Sequence, residues 1–173
     1  MTYLATADVC RLTGLSTEKL REWTSRRSLI PADVPSKQQG SPARYSWATV
    51  LVLRVAIVLR EHFNVELKAN SELFAGLRKE LSRRSFLTLR GHSLALLGRG
   101  NWALVADDEV PPSDALVIRL DPHLAGISVG FPQRELARSG QQADLFPLSS
   151  VMSRKEAQDF GSKPLATVRR RSA

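Results

Sequence analysis

The sequence predicts an α+β protein, with helices in the first half of the chain and a small, mainly antiparallel β domain after them. Two observations lead to this prediction. Up to about residue 84, apolar residues recur at helical spacing behind candidate N-cap residues. From Ser85 onward the apolar runs become short and are separated by turn residues, which is typical of strands.

The first two helices are expected to be short and joined by a glycine turn. Thr6 is placed to cap a helix that ends near Gly14, a residue suited to a turn with positive φ. Ser16 then offers an N-cap to a second helix, in which Leu20 and Trp23 share one face because they are three residues apart. Two helices around such a turn form a candidate helix-turn-helix.

The second helix is expected to end at the Leu-Ile-Pro sequence of residues 29–31, because the residue before a proline avoids the helical region. The next stretch, to residue 45, is rich in Pro, Gly, Ser and Gln and predicts an exposed loop. Ser46 offers the cap of a third helix over residues 47–63, which is apolar on nearly every side and must be covered on more than one side. A fourth helix is expected at about residues 67–84. Its leucines at a spacing of four are Leu73, Leu77 and Leu81.

Five short apolar runs predict the strands of the second half. They are residues 85–90, 93–98, 102–106, 115–120 and 126–131. Residues 132–140 are expected to add a helical turn or two. Ser153 and Glu156 have the spacing of a capping box for a further helix, which would end at Gly161. The basic end of the chain, residues 162–173, is expected to be disordered.

The positive charge of the protein is concentrated in the first half of the chain. The net charge is +8, and residues 1–90 hold 15 Lys and Arg against eight Asp and Glu. Residues 91–173 hold ten against nine. An uneven basic charge of this kind favours a polyanionic partner such as DNA or RNA, although a solvated basic surface has the same composition.

Composition excludes several classes of protein. The single cysteine, Cys10, excludes an intrachain disulfide and a site with several thiolate ligands, and we expect it to be a small buried residue. The start of the chain lacks a secretory signal pattern. The most apolar run, residues 47–59, is too short to span a bilayer and contains Arg54. We therefore expect a soluble protein without a membrane partner.

We expect neither catalysis nor a cofactor or metal. His62, His92 and His123 lie far apart in the sequence, without a motif of a metalloprotease, a hydrolase or a nucleotide-binding loop. The acidic stretch Asp107–Glu109 is expected to be a solvated turn.

The open face of the second helix is the candidate binding surface. With Leu20 and Trp23 turned to the core, that face carries Thr17, Glu18, Arg21, Glu22 and Ser25, flanked by Lys19 and Arg26. Arg bonds guanine bidentately, and Lys or Arg holds phosphates. Glu accepts from cytosine, but Glu22 is also spaced to orient Arg26 four residues on. The alternative is an ordinary solvated helix face.

The order of these features resembles the DNA-binding domain of the MerR family over about residues 3–65. The matching residues are Thr13, Gly14, Leu15 and Ser16, then Leu20, Arg21 and Trp23, then Leu29, Ile30 and Pro31, and finally Arg44, Tyr45 and Ser46. Excisionase-like proteins share the first part. The resemblance implies a winged helix-turn-helix whose second helix reads a major groove, with Arg21 and the Arg44–Tyr45 end of the wing contacting backbone or groove.

The DNA-binding residues expected on this basis are Ser16, Thr17, Lys19, Arg21, Trp23, Arg26, Arg27, Lys37, Arg44 and Tyr45. The chain departs from the family pattern in several places. Glu22 stands where a second aromatic residue is usual, and the exit through residues 24–30 is one residue longer. The wing is long, and the leucine repeat of the fourth helix is too brief for the long dimerisation coiled coil common in the family.

We expect four parts in the chain. They are a winged helix-turn-helix over residues 1–66, a connecting helix over 67–85, an α+β domain for self-association or partner binding over 86–161, and the basic tail. Partners would be double-stranded DNA and, through the second domain, another copy or another protein. This organisation predicts a cytoplasmic, nucleoid-associated regulator of transcription, from a bacterium or phage, that binds DNA sequence-specifically. The alternatives are an excisionase-type architectural protein and a winged-helix module for protein interaction, which Glu18 and Glu22 on the open face would favour.

Overall fold

The computed structural model describes residues 2–36, 41–98 and 100–132, and within them the fold is mixed α+β. The helices are α1 (Thr6–Thr13), α2 (Thr17–Arg21), α3 (Trp47–Glu61), α4 (Ser71–Leu81) and α5 (Asp121–Ser128). The strands are β1 (Leu4–Ala5), β2 (Arg44–Tyr45), β3 (His92–Gly98), β4 (Asn101–Ala106) and β5 (Leu116–Arg119). Shorter segments are a π turn at Glu22–Arg26 and 3-10 turns at Lys68–Asn70 and Phe86–Leu89.

The first helix begins one residue earlier than the sequence predicted. Ala5 is the N-cap, with φ −78° and ψ 162°, and no side chain caps the helix, so the expected cap at Thr6 is wrong. The reason is that β1 pairs with β2, which holds Ala5 extended and leaves Thr6 as the first helical residue. The turn is as expected, since Gly14 has φ +76° and its N–H bonds the Cys10 carbonyl at 2.8 Å.

The second helix ends earlier than predicted. The π turn directly follows α2, and the helical backbone stops at Arg26. Ser28 then adopts a left-handed conformation with φ +49°, which reverses the chain before Pro31 is reached. The predicted terminator, the Leu-Ile-Pro sequence, instead supplies two buried side chains, Leu29 and Ile30.

The third helix is the centre of the core. The Ser46 hydroxyl accepts from the Thr49 N–H at 3.3 Å, which confirms the predicted cap. Ten of the fifteen residues of α3 are buried. The predicted fourth helix exists as α4, preceded by the Lys68–Asn70 turn, and all three leucines of its predicted repeat are buried.

The second half contains a three-stranded antiparallel sheet in the order β4-β3-β5. Two of the five predicted strands are wrong. Residues 85–90 contain a 3-10 turn, because Phe86 and Leu89 are three apart and both enter the core. Residues 126–128 are the end of α5, in which Leu124 and Ile127 share the buried side, and residues 129–131 form a turn after it.

One cluster of buried apolar side chains runs from Leu4 to Phe131. The edge-on contact of Trp47 with Phe86, at 5.4 Å between ring centroids, is part of it. The boundaries predicted at residues 66 and 85 therefore do not coincide with a break in the core. The division of the chain into functional parts at those positions stays a prediction.

Helix α5 packs against α3, and the residues after α5 pack against the first helix. Arg54 of α3 donates to the Leu12 carbonyl in α1, and its Nε donates to His123 Nδ1 in α5 at 3.3 Å. Gly130 lies directly under Leu12, since a Cβ added there would come within 2.5 Å of Leu12 Cδ1. Arg54 thus links α3 both to α1 and to α5.

Some expectations lie outside the described residues. They are the position of Lys37, the helical turns predicted over residues 132–140 except for Pro132, the capping box at Ser153 and Glu156, and the tail from residue 162. Among the helices that the structure describes, none has the length and apolar character needed to cross a membrane.

Candidate functional site

The first turn of α2 forms an exposed surface, and the opposite side of the helix is buried in the core. The Ser16 hydroxyl accepts from the Lys19 N–H at 3.2 Å, which confirms the predicted cap. Thr17, Lys19 and Arg21 are exposed, while Leu20 between them is fully buried. Burial of one side of the helix therefore turns these polar side chains outward, as the sequence predicted.

The π turn explains the extra residue in the exit of the second helix. A π turn bonds residue i+5 to residue i and so absorbs one more residue than an α turn. Here the Arg27 N–H bonds the Glu22 carbonyl at 2.8 Å, and Arg27 Nε also lies 2.8 Å from Glu22 Oε1. The spacing of Glu22 and Arg26 suggested that Glu22 orients Arg26, but Glu22 pairs with Arg27 instead, because the wider turn brings Arg27 next to it.

Two of the expected contact residues belong to the core. Trp23 is 5% exposed and Tyr45 is 1% exposed, so neither ring is available to a DNA groove. The Tyr45 hydroxyl lies 3.4 Å from Thr24 Oγ1, which joins β2 to the π turn. The physical reason is that aromatic rings bury a large apolar area, which favours their placement in the core. We assign both residues to supporting the surface.

The segment after the π turn returns as a short antiparallel hairpin. Val34 and Arg44 form a bridge with reciprocal backbone hydrogen bonds of 3.1 and 2.9 Å, and β2 then pairs with β1. The side chain of Arg44 is exposed. Lys37, which the sequence predicts among the DNA contacts, belongs to this segment of the chain but lies outside the described residues.

The base of the hairpin is held by a carboxylate and an arginine that sequence reasoning missed. Asp33 Oδ2 accepts from the Ser46 N–H at 2.7 Å at the start of α3. Arg78 of α4 lies 3.2 Å from Asp33 Oδ1 and donates to the Pro31 carbonyl at 2.7 Å. Local sequence patterns do not predict this network, because Asp33 and Arg78 are 45 residues apart and come into contact only in the folded chain.

The cations of the candidate surface differ in their partners. Within the described chain, Arg27 is paired with Glu22, whereas Lys19, Arg21, Arg26 and Arg44 are exposed and form no ion pair. Unpaired exposed cations attract phosphate more effectively than paired ones, because no neighbouring carboxylate offsets their field.

A polar cleft of about 250 Å³ separates α2 from the end of α3. Its lining residues are Lys19, Glu22, Trp23, Arg27, Leu29, Arg60, Glu66, Leu67 and Lys68. Four of these residues are cationic and two are acidic, so the cleft extends the positive surface of Lys19 toward the corner between α3 and α4. Sequence reasoning missed Arg60 and Lys68, because only the fold brings them beside α2.

Cys10, His92 and His123 each contact neighbouring residues of the fold. Cys10 is half-buried, with Sγ 3.8 Å from Thr17 Oγ1 at the junction of α1 and α2. His92 Nδ1 lies 3.0 Å from the Arg90 carbonyl. Burial, and then the charge of Arg54, lower the pKa of His123 below its ordinary value. In the part of the chain that the structure describes, no cluster of His, Cys, Asp and Glu is arranged to hold a metal ion.

Comparison with known proteins gives no match, either to a family model or to a curated protein. A function is therefore assigned from the residues and geometry described above and from the resemblance carried by the sequence.

Proposed function

We propose that the protein is a sequence-specific regulator of transcription that binds double-stranded DNA. One observation carries the proposal: a serine-capped helix, following a glycine turn, exposes Thr17, Lys19 and Arg21 while its opposite side is anchored in the core. A helix-turn-helix places the first residues of its second helix against base edges in the major groove. The resemblance to the MerR family supports the same orientation.

The proposal divides the surface into two roles. Thr17 and Lys19 lie in the first turn of α2 and would contact base edges, which specify sequence. Arg21 and Arg44 are exposed cations without an ion pair among the described residues and would each neutralise a phosphate. Ser16, Arg26 and Arg27 would add backbone contacts beside them. The hairpin that carries Arg44 would be the wing.

The proposal also covers the partners of the second half of the chain and the place where the protein acts. We infer that the second half of the chain mediates self-association or contact with another protein, and that the protein acts at the nucleoid in the cytoplasm. A dimer would place two α2 helices on two half-sites about one helical turn apart.

Two alternatives are kept for specific reasons. An excisionase-type protein would use the same helix to bend DNA, and a recombination assay with the cognate integrase separates it from a regulator. A module for protein interaction is favoured by acidic residues on the open face. The Glu22–Arg27 ion pair weakens that argument, since it leaves Glu18 as the unpaired carboxylate of the described helix.

Selection from a random duplex library tests the proposal directly. We expect the full chain to enrich one motif, and genomic immunoprecipitation to recover sites that contain this motif. Failure to enrich any motif, together with equal weak binding to all duplexes, would contradict sequence-specific regulation.

A further inference from the structure

The two glutamates on the open face of the second helix have different surroundings. Glu22 is one-third exposed, and its Oε1 lies 2.8 Å from Arg27 Nε across the π turn. Its charge is therefore largely offset, and its position is fixed by the backbone bond between the same two residues. Glu22 positions Arg27 and is not free to accept from a base.

Glu18 lies one turn earlier and is exposed to solvent. Its side chain forms no hydrogen bond or ion pair within the part of the chain that the structure describes. Its backbone carbonyl accepts from the Glu22 N–H, so the residue is held in regular helix. The side chain is thus an available carboxylate on the same short stretch as Thr17 and Lys19.

A free carboxylate at this position can face only a few groups on DNA. It repels phosphates and meets acceptors unfavourably, including the N7 and O6 atoms of guanine and the O4 atom of thymine. Adenine offers an amino donor, but N7 lies beside it and repels the second carboxylate oxygen. Cytosine presents its N4 amino group to the major groove without an acceptor of its own.

We propose that Glu18 is a specificity-determining residue, which accepts a hydrogen bond from the N4 amino group of one cytosine at a fixed position in each half-site. The inference rests on the proposed function, because it needs α2 in a major groove. It goes beyond that function by assigning one base pair to one side chain and by removing Glu22 from the reading surface.

The experiment compares three variants of the full chain, Glu18→Gln, Glu18→Ala and Glu22→Gln, on four duplexes that differ only at the selected cytosine. The wild-type protein should prefer cytosine there by about five- to tenfold. Glu18→Ala should reduce the preference to less than about twofold. Glu18→Gln should shift it toward adenine, because a neutral amide bonds adenine N6 and N7.

The matched control is Glu22→Gln, which removes a carboxylate from the same helix. It should change affinity for all four duplexes by a similar factor and keep the cytosine preference. Melting curves of all three variants check folding, and exposure of Glu18 predicts melting temperatures close to that of the wild type.

The outcomes separate this inference from the proposed function. If the wild-type chain selects no motif, the proposed function fails. If it selects a motif but both Glu18 variants keep the same base preferences, DNA reading stands and the role of Glu18 is overturned. If Glu22→Gln alone loses the cytosine preference, Glu22 is the reader and the inference is overturned as well.

Discussion

Two serine-capped helices in this chain begin alike and are used in opposite ways. Ser16 and Ser46 each accept a hydrogen bond from the backbone N–H three residues on. Helix α3 then buries ten of its fifteen residues, whereas α2 and the π turn together bury three of ten. The same start signal therefore produces a core helix in one place and a surface helix in the other, and the residues after the cap decide which.

This contrast predicts a division of mutational effects. Substitutions within α3 should act on stability, since they remove or strand groups in the core. Substitutions on the exposed side of α2 should leave stability nearly unchanged and act on binding. An α3 core variant of unchanged stability, or a strongly destabilised variant on the exposed side of α2, would contradict this prediction.

The largest effect is expected for Val55→Asp in α3. Val55 is fully buried, so an aspartate would strand a charge in the core and lower the free energy of unfolding by about 3 kcal/mol or more. Urea denaturation of the purified chain measures the change. Arg60→Ala, at an exposed position of the same helix, is the matched control and should change stability by less than about 0.5 kcal/mol. A Val55→Asp protein that unfolds like the wild type would contradict the burial of α3.

The next effect concerns binding through α2. Thr17→Ala and Lys19→Ala should weaken affinity for the selected motif by about 1–3 kcal/mol and affinity for scrambled DNA by less, because base contacts carry the discrimination. Titration of each variant on both duplexes gives the two numbers. Melting temperatures should stay close to that of the wild type, as both residues are exposed. Equal losses on both duplexes would instead make these residues phosphate contacts.

A smaller effect is expected at the turn between α1 and α2. Gly14 has φ +76° with open space around its Cα, so Gly14→Ala is strained only by its backbone conformation. We expect a loss of about 1 kcal/mol in unfolding free energy. Urea denaturation again measures it. A neutral or stabilising result would mean that the turn tolerates an L side chain, and that the glycine of the resemblance is not required here.

The smallest effect is a pH dependence at the junction of α3 and α5. Burial and the charge of Arg54 lower the pKa of His123, so the unfolded chain binds the proton more readily than the folded chain. The stabilising contribution is therefore present above about pH 6.5, the ordinary value, and is lost as the pH falls below it. His123→Gln should show a smaller drop in melting temperature between about pH 7.5 and about pH 5.5 than the wild type. If the melting temperature of His123→Gln falls as much as that of the wild type, His123 does not cause the pH dependence of stability.

Local signals in the sequence predicted the caps at Ser16 and Ser46, the Gly14 turn and the burial of Leu20, because each depends on a few neighbouring residues. Trp23 was placed on the core side of the helix and also among the DNA contacts, and its burial contradicts the second prediction. These signals gave wrong or no predictions where tertiary contacts determine the local conformation or the pairing of side chains. Phe86 and Leu89 favour a strand by composition, yet both enter the core from a 3-10 turn. The pairing of Asp33 with Arg78 joins segments 45 residues apart, and no local pattern encodes it.

The site was predicted unevenly for the same reason. Exposure of Thr17, Lys19 and Arg21 follows from helical periodicity alone. Burial of Tyr45 could not be read from its position in a motif, since it depends on packing between β2 and the π turn. The Glu22–Arg27 ion pair was also not predicted, because a π turn changes the sequence spacing at which side chains come into contact.

The two halves of the chain contribute to one buried core, so their separate roles in DNA binding should not be tested with fragments. Phe86 and Leu89 are fully buried in the same cluster as the helices of the first half. A fragment that begins at Ser85 would leave that cluster incomplete, so its failure to bind DNA would be uninformative about function. Point variants of the full chain are the better test.

The salt dependence of DNA affinity tests the central claim most directly. We would measure binding of the wild type, Arg21→Ala, Arg44→Ala and the control Arg83→Ala to selected and scrambled duplexes at two salt concentrations. If Arg21 and Arg44 each neutralise one phosphate, each alanine should weaken both duplexes about equally and lower the slope of log affinity against log salt by about one unit, while Arg83→Ala changes little. Loss of preference at one base pair in Arg21→Ala would make Arg21 a reader of guanine instead. Unchanged affinity on both duplexes for both variants would contradict DNA binding through this surface and favour a role in protein interaction.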